Sequence, residues 1–272
     1  GYFLHAAEYS NISLLLSPLK KNEAGEFFID FDNFESNCAN PKCKMVFWCN
    51  PHNPTGRIWT KEELTKVAEI VEKYNLWIIS DEIHCDLTRQ GMKHTPMAKI
   101  MPDYPKLITC MAPSKTFNLA GLAFSNIIIC DPATREEFKS RDKLFGMVNP
   151  MSLTAAKAAY DKGGAWHEAL KKYLDENFHF TKDFLNENLP EAVMNISEAT
   201  YLAWVDLSRC LPDVEDLPGF FANNAGVLLE GGNDLFVGNA AGYIRLNLAM
   251  PRSIIKTGLE RMRDAINTHN HR

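Results

Sequence analysis

Leu107-Ile108-Thr109-Cys110-Met111-Ala112-Pro113-Ser114-Lys115-Thr116-Phe117-Asn118-Leu119-Ala120-Gly121 runs an apolar segment into a cluster of small and turn-forming residues that holds one lysine. The apolar part predicts a buried strand. Open α/β sheets place their ligands beyond the carboxyl ends of the strands, where small residues let the backbone approach. Lys115 is therefore expected to point into a site. Taken alone, Ser-Lys-Thr reads as well as a solvated loop, since lysines are nearly always exposed.

The surrounding chain supplies the sheet. Residues 45–49 (Met-Val-Phe-Trp-Cys), 76–80 (Leu-Trp-Ile-Ile-Ser) and 125–130 are further apolar runs. Between the first two, Thr60 and Glu63 form a capping box ahead of Leu64, Val67, Ala68, Ile70 and Val71, the spacing of one helix face. Strand, helix, strand in this rhythm predicts parallel pairing through right-handed crossovers. Upstream, residues 12–16 and 27–29 are strand candidates and residues 30–40 a loop. Downstream come a charged helix and loop (132–149), an Ala-rich helix (152–161), a break at Gly163-Gly164, and a long helix (165–188) stopped by Pro190. Short strands at 193–196, 201–207, 227–229 and 243–248 follow, with helices at 217–223 and 253–266. The fold class is α/β. A mostly parallel mixed sheet with helices on both faces is expected in residues 1–163, and a smaller α+β domain with its linking helix in 164–272.

Composition narrows the partners. A chain of 272 residues, 46% hydrophobic, can bury a sizeable core. A formal net charge of −5 with no basic run gives no electrostatic footprint for nucleic acid, so a small-molecule partner is expected. No apolar stretch has membrane-spanning length, and no signal peptide is visible. Seven cysteines without paired spacing predict a reducing, cytoplasmic setting and no metal site. Gly1-Tyr2-Phe3 opens without Met and in mid-element, so further sequence upstream is expected.

Polar groups gather at three strand ends. Asn50-Pro51-His52-Asn53-Pro54-Thr55-Gly56 is a turn cluster after the first run, and Asp81-Glu82 closes the second. Asp81 follows Asn53 by 28 positions and Lys115 follows Asp81 by 34, each the length of one crossover. Arg245 lies in an apolar strand context between Ile244 and Leu246, where an unpaired charge is costly, so it requires an anionic partner.

In order along the chain, Asn50-Pro-His-Asn-Pro-Thr-Gly56, Ser80-Asp-Glu-Ile-His84, Ser114-Lys-Thr-Phe-Asn-Leu-Ala-Gly121 and Tyr243-Ile-Arg-Leu-Asn247 resemble the signatures of fold-type I pyridoxal phosphate enzymes, the aspartate aminotransferase superfamily. Gly56-Arg-Ile-Trp-Thr60, Asp81-Glu-Ile-His84, His94-Thr-Pro96 and Ala112-Pro-Ser-Lys115 are most similar to its MalY/PatB branch of cystathionine β-lyases. The resemblance spans the chain, although members of that family begin well upstream of Gly1.

The resemblance implies pyridoxal 5′-phosphate as cofactor and a homodimer as the assembly. Lys115 would carry the cofactor as a Schiff base and move the substrate α-proton. Asp81 would pair with the ring nitrogen, Asn53 would bond the phenolic oxygen, Ser114 would touch the phosphate, and Arg245 would grip the substrate α-carboxylate. His84 stands where aminotransferases carry a tyrosine, either to bond the cofactor or as a packed loop residue. Ala112 and Ala123 occupy positions where many members of the superfamily place a serine and an arginine on the phosphate. The activity implied is carbon–sulfur β-elimination. The alternatives are an aminotransferase on the same scaffold and a non-catalytic fragment.

Overall fold

The computed structural model describes residues 2–141, 148–232, 236, 238 and 240–271. It begins with α1 (Tyr2–Tyr9), the short ribbon β1 (Lys20–Lys21) and β2 (Phe27–Phe28), and α2 (Phe31–Cys38). The strand expected at residues 12–16 is absent: Ile12, Leu15 and Leu16 are exposed and pair with no other strand. The loop expected at 30–40 is instead mostly helix. Asp30 caps it by accepting a hydrogen bond from the backbone N–H of Asn33 at 3.3 Å, and Phe34 and Cys38, one turn apart, fill its inner face.

The large sheet consists of β3 (Met45–Cys49), β4 (Trp77–Asp81), β5 (Leu107–Met111) and β6 (Asn126–Ile128), side by side in that order. Helix α3 (Lys61–Lys73) crosses from β3 to β4, and its capping box at Thr60 and Glu63 is formed. Leu64, Val67 and Val71 on α3 are fully buried, each contributing about 1.5–3 kcal/mol. The β3–β4 and β4–β5 pairs are parallel, but β6 runs antiparallel to β5. Its connection carries only α5 (Pro113–Thr116) and a single 3₁₀ turn, with no long helix to lie across the sheet as α3 does between β3 and β4. Between β4 and β5 lies α4 (Met97–Ile100).

Beyond α6 (Pro132–Arg141), the loop expected after the charged helix falls largely at 142–147, outside the described residues. Helices α7 (Pro150–Lys162) and α8 (Gly164–Asn188) meet at Gly163. A second, wholly antiparallel sheet follows, in the order β7 (Val193–Met194), β8 (Leu202–Asp206), β10 (Tyr243–Asn247), β9 (Glu230–Gly231). The strand expected at 227–229 lies a few residues later, and Leu228 is exposed. Helices α9 (Leu217–Ala225) and α10 (Arg252–Asn270) cover this sheet together with α8.

Two apolar cores result, one around Trp48, Leu64 and Ile78, the other around Phe178, Val205, Phe221 and Ile244. Residues 198–200 join the two layers through backbone bonds: Ala199 N–H to the Gly56 carbonyl at 2.9 Å, Thr200 N–H to Leu87 at 2.8 Å, and Arg89 N–H to Glu198 at 2.8 Å. The closeness at Gly56 has a steric cause. Its φ is +70°, and a Cβ there would stand 2.2 Å from Ser197 Cβ and 2.8 Å from the Ala199 carbonyl. Gly56→Ala should therefore lower unfolding stability by about 1–3 kcal/mol, whereas Gly258→Ala, in open helical space, should leave it equal or higher. Urea titration of both variants checks this, and equal midpoints would contradict the close approach.

Candidate active site

Asp81 is the last residue of β4, in register with Cys49 on one side and Cys110 on the other. Residues in register share a sheet face, so the carboxylate lies between two thiols. Its Oδ1 accepts a hydrogen bond from the Ile83 backbone at 3.1 Å, and its other oxygen has no hydrogen bond among the described residues. Burial pushes the carboxyl above the usual Asp range, and the nearby Lys115 charge works against that shift. Burial, reinforced by the charge of Asp81, raises Cys49 to about 12 and Cys110 to about 11, so both thiols stay protonated near neutrality.

Lys115 is set by an abrupt turn from β5 into α5: Ala112 is extended, and Pro113 starts the helix where a missing N–H costs nothing. The next residues clamp this turn. Thr116 donates to Asp86 Oδ2 at 3.1 Å, and the Asp86 carbonyl accepts from His167 Nε2 on α8 at 2.8 Å. Phe117 packs among Tyr160, Trp166 and His167. Lys115 itself is half-buried and makes no hydrogen bond among the described residues, while its charge acts on both Asp81 and His84. Ser114 precedes it, half-buried, with its carbonyl accepting from Leu119 N–H at 3.0 Å.

His84 is buried, edge-on to Tyr201 at 5.9 Å between ring centroids, and its Nδ1 is sealed from solvent without a hydrogen-bond partner. Burial, then the positive charges of Lys115 and Arg245, lower its pKa to about 4. The turn carrying Asn53 is braced from below. Asn50, fully buried, donates to the Thr95 carbonyl at 3.1 Å and accepts from Trp59 N–H at 3.3 Å, and the Trp59 indole donates to the Cys49 carbonyl at 2.9 Å. Both Asn-Pro bonds in the turn are cis.

Arg245 reaches this edge from the other sheet. Its Nη1 donates to Asn53 Oδ1 at 2.8 Å, its Nη2 is ion-paired with Glu230, and its guanidinium carbon lies 5.0 Å from the centroid of the Phe236 ring. The anion required on sequence grounds is thus present inside the chain. The fold brings Asn53, Asp81, His84, Lys115 and Arg245 to one place, but among the described residues no side-chain contact ties Ser114 to that group. Sequence reasoning missed Tyr201 and Glu230, because the pairing of β10 with β8 and β9 that places them has no local signal.

Trp59 and His94, which carried the likeness to the lyase branch, prove to be supports. His94 Nε2 is paired with the buried Glu82 at 2.8 Å, and Glu82 also accepts from Ser80 at 2.9 Å and Met97 N–H at 2.9 Å. A flat aromatic cation with polar substituents fits the groups left open among the described residues: the desolvated carboxylate of Asp81, the Nδ1 of His84 and the amide N–H₂ of Asn53.

Residues 3–262 match the family described as aminotransferase class I and II. The chain belongs to that family. Among its members, cystathionine β-lyase PatB of Bacillus subtilis (strain 168) is 37% identical over 97% of this chain and 68% of its own length. Among solved structures, the PLP-bound C-S lyase from Staphylococcus hominis is 46% identical with a TM-score of 0.93, over 98% of this chain and 69% of that one. Cystalysin from Treponema denticola, whose structure contains pyridoxal 5′-phosphate, has 37% identity and a TM-score of 0.93. The chain thus spans about two thirds of the length of these members of the class I and II family, and their fold, a mostly parallel mixed sheet in an α/β architecture, is its own.

The buried histidines fix one pH response. His52 and His84 are both lowered to about 4 in the folded chain by burial, against about 6.5 when unfolded. The unfolded state then binds more protons between those values, so stability is lost as pH falls from about 6.5 towards 4. Urea titrations at pH 7 and pH 5 should show a smaller acid loss in His84→Gln than in the parent. An unchanged acid loss would mean that His84 is not held neutral.

Proposed function

We propose that this chain is the cofactor- and substrate-binding part of a pyridoxal 5′-phosphate-dependent carbon–sulfur β-lyase. It acts on L-cystathionine or another L-cysteine S-conjugate and releases a thiol, pyruvate and ammonia. The observation that carries the reading is Lys115, held at the sheet edge with its charge on a desolvated Asp81, in a chain whose relatives are C–S lyases.

When bound, the cofactor supplies an aromatic ring that takes up the electron pair left when the substrate α-proton departs. Asp81 would hold that ring at its nitrogen, Asn53 and His84 at its phenolic side, and Ser114 at the phosphate. Lys115 would hold the cofactor through its amine and, once the substrate amine has displaced it, would accept the α-proton as a free base. Arg245 binds the α-carboxylate with its planar fork, and Asn53 keeps the guanidinium in place. Burial of Asp81 and His84 keeps water from competing for these groups.

The two separate cores, with the junction of α7 and α8 at Gly163 lying between them in sequence, support a division into domains 1–163 and 164–272. Free cysteines among the described residues fit a cytoplasmic setting, and exposed Ile12, Leu15 and Leu16 fit a face covered in a homodimer.

Transamination begins with the same proton abstraction, so Lys115, Asp81 and Arg245 serve both chemistries and product identity separates them. The full-length protein with cystathionine should give thiol, pyruvate and ammonia in equal amounts without an added keto acid. Conversion of an added keto acid to its amino acid, with no pyruvate formed, would make the protein an aminotransferase instead. Lys115→Ala should abolish turnover. Asp81→Asn should keep the fold and lose at least about a hundredfold in turnover, equivalent to about 3 kcal/mol; near-normal turnover with cofactor bound would remove Asp81 from the ring-nitrogen role.

A further inference from the structure

Arg245 is already engaged. On the antiparallel β9–β10 pair, Arg245 stands directly opposite Glu230, and the two side chains form an ion pair. The arginine side chain is 14% exposed and the glutamate 52% exposed, so the glutamate reaches in from solvent to cap a guanidinium held deeper in the protein. Other described residues also hold the guanidinium: Asn53 takes Nη1, the Phe236 ring lies over its face, and Trp204 is its cross-strand neighbour on β8. Among the described residues around the fork, Glu230 is both negatively charged and half open to water.

We propose that Glu230 is an internal competitor for the substrate carboxylate: it occupies the Arg245 fork in the free protein and is displaced when substrate binds. The inference rests on the reading of Arg245 as the carboxylate anchor. A carboxylate on the same guanidinium presents the chemistry of an amino-acid substrate's own carboxylate, and two carboxylates at one fork compete and repel. The contact keeps a largely desolvated cation facing an anion between turnovers. Its cost appears as weaker binding of every carboxylate ligand, and Glu230 thereby sets the concentration range of substrate over which the enzyme responds. Being half-exposed, Glu230 is readily rehydrated on release, so the competition is modest.

The test uses the full-length cofactor-loaded protein with Glu230→Gln, Glu230→Ala and Arg245→Ala. Two readouts are taken: KM for cystathionine, and the dissociation constant of propionate, a carboxylate without an amine, by calorimetry. Both glutamate variants should lower both constants roughly two- to fivefold, as expected for removing one partly exposed competing charge, with the gain in KM and not in kcat. Arg245→Ala should raise both. If Arg245→Ala raises both while the Glu230 variants leave them unchanged or raise them, Glu230 is a support for the arginine and the inference is overturned alone. If Arg245→Ala changes neither, the anchor reading itself fails and the inference falls with it. Melting temperatures of the Glu230 variants within a few degrees of the parent ensure that binding, not folding, is being read.

Discussion

A carboxylate taken out of water at the end of a parallel strand is the constraint on which this site depends. Asp81 has one backbone hydrogen bond, two protonated thiols beside it and a pKa raised by burial. Such a group is stable as an anion only with a cation to face. Lys115 supplies charge from the next strand end, and a protonated ring nitrogen would supply it more directly. The apolar strands around Asp81, and the clamp of Phe117 between α7 and α8, hold these two groups in relation before any ligand arrives.

The second requirement is that two separately cored layers meet at the same edge. The hydrogen bond from Arg245 to Asn53 joins the antiparallel sheet to the turn after β3, while the backbone bonds of residues 198–200 to Gly56, Leu87 and Arg89 fix the approach of the layers. Asn50 with Trp59, and Glu82 with His94, hydrogen-bond beneath the turn and brace Asn53 in its contact with Arg245.

Much of this was legible in the sequence because it is local. The β5 run, the capping box of α3 and the long α8 are written in period and caps, and the strand-end positions of Asn53, Asp81 and Lys115 follow from crossover lengths. What escaped was non-local or weakly patterned. Asp30 as the cap of α2 was hidden in an Asn-rich stretch that reads as loop. The reversal of β6 has no marker within its three-residue run. Glu230 and Tyr201 acquire meaning only from the register of β9 and β10 and from the packing of residue 201 against His84, which alternation within one strand does not reveal.

The central claim is that Lys115 is the residue that carries the cofactor. It is tested most directly by loading the full-length protein with pyridoxal 5′-phosphate, reducing with borohydride, digesting, and locating the phosphopyridoxyl mass by peptide sequencing. The account predicts a single labelled site at Lys115. Label on any other lysine, with Lys115 unmodified, would contradict it.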